Sequence, residues 1–195
     1  MKAVAYLGSR AIYVDMVSAV KSLLVHNDID KVFLLIEDDV FQYEMDNRVE
    51  AINVSEIIPK YFRKEGPNYD TEWTYIGLIS SAFTKVFPDL DKLLAIDCDT
   101  IVTQDISELW DISLDDYYFA GVQETLLSAV KHHGYINSGV LLVNLKKLRE
   151  DGKDDEIIYA MNKYRYTYVS QDAINDVCKG KILFLPSIYN ACQYT

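Results

Sequence analysis

The chain is poor in the residues that build covalent or metal frameworks. Its three cysteines, Cys98, Cys178 and Cys192, are odd in number and widely spaced. They match neither a disulfide scaffold nor a zinc site. Histidine is as scarce, with His26, His132 and His133. Positive charge is in deficit: 19 Lys and Arg stand against 30 Asp and Glu, a net charge of −11. Such a surface excludes nucleic acid and anionic membranes as default partners. An anionic small ligand is still compatible if a cation bridges it to the protein. No apolar run reaches the ~20 residues of a membrane-spanning helix. The opening MKAVAYLGSR lacks a signal-peptide core and reads as a first strand, so the expected location is cytoplasmic. Repeats and low-complexity linkers are also missing, which predicts a single domain over residues 1–195.

Apolar residues, by contrast, make up 50% of the chain, enough for a sizeable core at this length. Tyrosine is frequent, with 15 residues, and joins apolar bulk to a polar tip. Short apolar runs at 3–8, 32–37, 51–56, 92–96, 117–122, 138–145 and 181–186 read as strands. Residues 13–25 carry Tyr13, Met16, Val17, Val20 and Leu24 at helical spacing. Helices are also predicted over 73–87 (ended by Pro88), 154–164 and 171–178, with a short helix or turn at 106–110. Apolar strands alternating with helices predict a doubly wound α/β sheet, mixed near its end, with helices on both faces. Ligands of such sheets gather at the carboxyl ends of the strands.

Asp97-Cys98-Asp99 follows the run LLAI directly. The chain has two other Asp-x-Asp pairs, Asp28/Asp30 and Asp89/Asp91, both in polar connections. Strand context singles out the third. In extended backbone, side chains two apart point the same way. Two convergent carboxylates repel, and a divalent cation removes the conflict. Oxygen ligands suit Mg²⁺ or Mn²⁺. An alternative is that the two aspartates cap the turn that follows. Two reaction classes use such a pair: a haloacid-dehalogenase-like phosphatase, and transfer of a sugar from a nucleotide diphosphate.

Four stretches in order resemble glycosyltransferase family 8, which includes glycogenin and bacterial lipopolysaccharide galactosyltransferases. They are VAYLGSRAIY, KLLAIDCDTIVTQDISELWDI, YINSGVLLVNLKKLRE and SQDAINDVCKGKILFLPSIYN. The resemblance implies a GT-A (Rossmann-like) fold, a UDP-sugar donor, a divalent metal (commonly Mn²⁺), and a glycan or other hydroxyl acceptor. It also implies retention of anomeric configuration. Carried over residue by residue, Leu7, Ser9 and Tyr13 match the segment that holds the uridine. Asp97 and Asp99 match the metal pair, with Cys98 toward the ribose. Asn137, Ser138 and Gly139 match the segment beside the donor sugar. Gln171 matches the amide near the anomeric carbon, where its carbonyl can stabilise developing positive charge. Asp172 is either part of that site or a first-turn helix carboxylate. Leu185, Pro186 and Asn190 match a stretch expected to be structural.

Three departures from the family pattern stand out. Ser80 and Ser170 occupy positions where relatives carry a basic residue and an aspartate, so the site is expected to be neutral there. Lys85 is the candidate substitute cation. The family's C-terminal His and Lys segment has no counterpart before Thr195, so a truncated or minimal form with weaker metal and diphosphate binding is expected. These departures keep open a catalytically weak or inactive UDP-sugar-binding domain as the alternative. Acceptor contacts are expected in the segment 123–136.

Overall fold

A computed structural model describes residues 1–125 and 134–191. Among these, seven strands form one sheet: β1 (Ala3–Leu7), β2 (Lys31–Ile36), β3 (Val49–Asn53), β4 (Lys92–Ile96), β5 (Phe119–Gln123), β6 (Ile136–Asn144) and β7 (Ile182–Leu185). Their order is β3-β2-β1-β4-β6-β5-β7. The first four run parallel. Strand β6 is antiparallel to both β4 and β5, and β7 is parallel to β5. One reversed strand thus makes the sheet mixed, and the carboxyl ends of β1, β4 and β5 share an edge.

The helices are α1 (Tyr13–His26), α2 (Ile58–Tyr61), α3 (Phe83–Val86), α4 (Leu145–Glu150), α5 (Lys153–Lys163) and α6 (Val169–Val177). Side chains alternate across each strand, so the sheet feeds two cores. Val4, Tyr6, Leu94, Ile96 and Leu142 face α1, which meets them with Met16, Val20 and Leu23. Ala3, Ala5, Leu93, Ala95 and Leu141 face the other layer, with Ile76, Ile79, Ile157 and Ile174. Helix α1 buries one stripe, Tyr13, Met16, Ala19, Val20 and Leu23, and ends at His26 as its spacing predicts.

One element departs from expectation and shapes the site. Of the α-helix predicted over 73–87, only Phe83–Val86 is α-helical; Tyr75–Ala82 is a 3₁₀ helix. The segment YIGLISSA combines a glycine, two β-branched isoleucines and two serines, all poor α-formers. The Ser80 hydroxyl also bonds back to the Gly77 carbonyl at 2.7 Å. In a 3₁₀ helix, residues three apart eclipse one another. Thr74, Gly77, Ser80 and Phe83 therefore form one row along a cleft wall. Lys85 falls off that row and pairs with Asp154 at 2.9 Å and Asp155 at 2.8 Å on α5. It is a tether between layers, which corrects its reading as a cation for the site.

Candidate active site

Strands β1 and β4 are hydrogen-bonded neighbours, but the chain leaves β1 toward β2 on its other side. The crevice at the ends of β1 and β4 is therefore the topological switch point. Leu7 closes β1, and Asp97 directly follows β4. The Cys98 thiol donates to the Leu7 carbonyl at 3.2 Å, tying the two strand ends together. Burial, then the charge of Asp97, pushes that thiol up to about 12, so it stays protonated and can donate.

The backbone N–H of Asp97 donates to the Gly139 carbonyl at 2.8 Å. A Cβ on Gly139 would lie 3.2 Å from Asp97 Oδ2 and 2.9 Å from Asn137 Oδ1. Glycine there lets the Asp97 carboxylate lie against the backbone of β6. Burial first, and the charge of Asp99 second, push the Asp97 carboxyl up to about 7. Water reaches Asp97 through the open cleft, which tempers this effect. A divalent cation would relieve both the desolvation and the repulsion, so the donor set fits one with open positions. Among the described residues, no group of three or more His, Cys, Asp or Glu is placed to share a metal.

The facing wall comes from β6 and α6. Asn175 stitches them, accepting from the Ile136 N–H at 2.7 Å and donating to its carbonyl at 2.8 Å. This sets Gln171, whose Oε1 accepts from the N–H of Ser138 at 2.8 Å and from its hydroxyl at 3.1 Å. Asn137 Oδ1 accepts from Gly139 N–H and from Asn190 Nδ2, both at 2.8 Å. Asn190 therefore reaches the site through Asn137. Asp172 takes the helix-start role: it is buried and accepts from the N–H groups of Thr167 and Tyr168 at 2.9 and 3.0 Å.

One functional candidate escaped the sequence reading. Glu124 is only 4% exposed, and its Oε2 accepts from Asn137 Nδ2 at 2.8 Å and lies 3.4 Å from Gln171 Nε2. It follows β5 as Asp97 follows β4, an acid at the carboxyl end of a strand, and that signal was available. Glu124 and Asn137 also line a second cavity of 740 Å³, with Phe184, Ile188 and Asn190.

The main cleft has a volume of 450 Å³. It gathers Leu7, Asp97, Cys98, Asp99, Asn137, Ser138, Gln171, Ser80 and Ser170 in its lining. Three expected residues are not part of that lining. Ser9 precedes the short 3₁₀ turn Arg10–Ile12, and Gly139 supports Asp97 from β6. Tyr13 is buried: its ring meets Phe41 at 5.1 Å, and its hydroxyl donates to Asp38 at 3.0 Å. His132 and His133 lie outside the described residues. Among the described residues no helix is long and apolar enough to cross a membrane.

Comparison with known proteins gives the family and the fold. The model for glycosyl transferase family 8 matches residues 4–195. The chain is similar to glycosyltransferase GlyA of Streptococcus pneumoniae, at 26% identity over 183 residues, covering 91% of this chain and 26% of that protein. It is similar to the lipopolysaccharide 1,2-glucosyltransferase of Escherichia coli, at 34% identity over 121 residues, covering 56% of this chain and 36% of that protein. It thus spans less than half the length of either curated relative. Among solved structures, galactosyltransferase LgtC, in complex with donor and acceptor sugar analogs, superposes with a TM-score of 0.73 at 19% identity. That match covers 95% of this chain and 73% of LgtC. The glycosyltransferase GlyE of S. pneumoniae gives 0.71 at 24% identity, over 97% of this chain and 46% of GlyE. The fold is GT-A, as the motifs led us to expect, and the phosphatase alternative falls away.

Proposed function

The chain belongs to glycosyl transferase family 8, and from that premise we propose that residues 1–195 form one GT-A domain that moves a hexose from a UDP-sugar to an acceptor hydroxyl with retention of configuration. The observation that carries this reading is the Asp97/Asp99 pair at the switch point, facing Gln171 across one cleft. Asp97 and Asp99 are the residues that would hold Mn²⁺ or Mg²⁺, which when bound would supply positive charge to offset that of the departing diphosphate. Leu7, Ser9 and Cys98 border the uridine, and Tyr13 supports that border from the core. Ser138 fixes the Gln171 carbonyl, which stabilises positive charge developing on the sugar. Asn137, with Gly139 behind it, orients the sugar from β6. We assign no side chain as a covalent nucleophile. The acceptor enters beside Glu124, from the second cavity. The cytoplasm is the compartment proposed for this chemistry.

Calorimetry of UDP with and without Mn²⁺, followed by a UDP-hexose panel assayed for UDP release, tests the reading. Asp97→Asn is expected to abolish Mn²⁺-dependent UDP binding, and the product anomer, read by NMR, is expected to match the donor's. Mn²⁺-independent UDP binding, unchanged in Asp97→Asn, would overturn the metal role. The neutral Ser80 and Ser170 on the cleft wall favour a second reading, a domain that binds UDP-sugars without turning them over. Binding without UDP release across the panel would select it.

A further inference from the structure

Trp73 stands at the lip of the main cleft and is 49% exposed, yet it is fastened in place. Its indole Nε1 donates to the Thr167 carbonyl at 3.1 Å. Its backbone N–H donates to the Thr71 hydroxyl at 3.2 Å. The ring lies against Tyr168, with centroids 6.3 Å apart at 45°. The indole's one polar atom is used within the protein, so a ligand meets the ring itself.

The anchor is rigid. Thr167 and Tyr168 are held through their N–H groups by Asp172, and Asp172 in turn accepts from the Tyr135 hydroxyl. The next residue, Val169, has φ of 40°. A β-branched residue with left-handed φ is strained and persists only where its surroundings hold it. Gln171 follows two residues later. The indole is therefore locked in register with the turn that presents Ser170 and Gln171 to the cleft.

The wall beside it is neutral and small. Thr74, Gly77 and Ser80 make the 3₁₀ row, and Ser170 also lines the cleft. A Cβ on Gly77 would meet nothing within 4 Å, so the space in front of it is open. A charged group finds no countercharge on that row. A neutral polyhydroxylated ring finds hydroxyl partners for its edge and, at the indole, an electron-rich face for its C–H bonds.

Resting on the hexosyltransferase reading above, we propose that Trp73 is a specificity-determining residue, a fixed stacking platform for a pyranose ring bound in this cleft. The pyranose belongs either to the donor or to the acceptor, and the test separates the two.

The chain has two tryptophans, Trp73 and Trp110. Trp110 packs against the α1-side core, so Trp110→Phe leaves Trp73 as the fluorescent reporter. If that variant does not fold, the difference between the parent and Trp73→Phe reports the same signal. The probes, all with Mn²⁺, are UDP, UDP-glucose, UDP-galactose, UDP-N-acetylglucosamine, and lactose or maltose added to the UDP complex. A Trp73 response to a UDP-hexose beyond that to UDP assigns the platform to the donor. A response to free disaccharide assigns it to the acceptor. Trp73→Ala is expected to weaken the responding probe roughly two- to tenfold while UDP affinity holds, with Trp73→Phe restoring most of the loss. If Trp73→Ala weakens UDP itself as much as every sugar probe, or leaves all probes unchanged while calorimetry shows them bound, the platform is overturned. Loss of Mn²⁺-dependent UDP binding in the parent would instead strike the underlying reading, and the platform with it.

Discussion

The side-chain oxygen of Gln171 accepts two hydrogen bonds from one residue, the N–H of Ser138 at 2.8 Å and its hydroxyl at 3.1 Å. The amide is thereby oriented before any ligand arrives. Preorganised dipoles of this kind act most strongly where charge develops in a transition state. Gln171→Ala is expected to lower kcat on the order of 10²-fold with little change in KM for the UDP-hexose. Ser138→Ala keeps the backbone donor and loses only the hydroxyl, about 1 kcal/mol or roughly fivefold in kcat. Initial rates on the donor identified by the panel check both; equal losses would mean the hydroxyl does more than orient the amide.

Gly139 gives a second prediction, because two constraints meet there. A Cβ would crowd both Asp97 Oδ2 and Asn137 Oδ1. Gly139→Ala must move one of them or spread β4 from β6. Overpacking of this kind costs about 1–3 kcal/mol. The expected result is a lower Tm, together with roughly tenfold weaker Mn²⁺-dependent UDP binding by calorimetry. A lowered Tm with unchanged UDP affinity would show that the strain goes into the sheet and spares Asp97.

These two sites differ in how readable they were from sequence. Asp97, Asp99 and Gln171 were legible because each sits in a motif whose local structure is unambiguous: an apolar strand run, or a helix start. The role of Tyr13 was not legible, because a helix-facing tyrosine reads alike whether its ring meets a ligand or Phe41. The 3₁₀ row was hidden because the mostly apolar segment Tyr75–Ala82 does not report whether its period is 3.0 or 3.6. Only that difference decides whether Ser80 or Lys85 belongs to the site. Glu124 was half legible: its place directly after β5 was readable, but its contacts to Asn137 and Gln171 are 13 and 47 residues away, and no local pattern reports them.

The Lys85 tether has a pH signature. Burial opposes ionisation of Asp154, but hydrogen bonds from Thr84 (2.6 Å) and Lys85 outweigh it and hold the carboxyl below its ordinary value of 3.8. A depressed acid stabilises the fold above its unfolded pKa and loses that contribution as pH falls through the folded one. Asp154→Asn is therefore expected to cost about 1–2 kcal/mol at neutral pH, and the gap to the parent should close as pH falls below 3.8. Urea unfolding at a series of pH values measures this. A gap that does not change with pH would mean that size and shape at this position matter and charge does not.

Glu124 offers the sharpest separation between architecture and chemistry. Its carboxylate accepts from Asn137 Nδ2 and lies within reach of Gln171 Nε2, two donors belonging to the residues proposed to face the sugar. A buried carboxylate is costly unless hydrogen-bonded, and here the bonds also dictate which way each amide turns. Glu124→Gln preserves volume but puts an NH₂ group on the side chain. If that group faces Asn137, two donors meet and the Asn137 amide must flip, which disturbs the bonds its oxygen receives from Gly139 and Asn190. If the new side-chain oxygen faces Asn137 instead, the Asn137 orientation survives, while the negative charge and the bond that the other oxygen receives from the Thr125 N–H are lost. The two cases separate in a measurement. Loss of turnover for Glu124→Gln that Glu124→Asp also shows points to orientation, because the shorter acid cannot span to both amides. Loss in Glu124→Gln with substantial activity kept in Glu124→Asp points to the charge itself. We expect the first outcome, with Mn²⁺-dependent UDP binding within a factor of about two of the parent in both variants, because Asp97 and Asp99 are untouched.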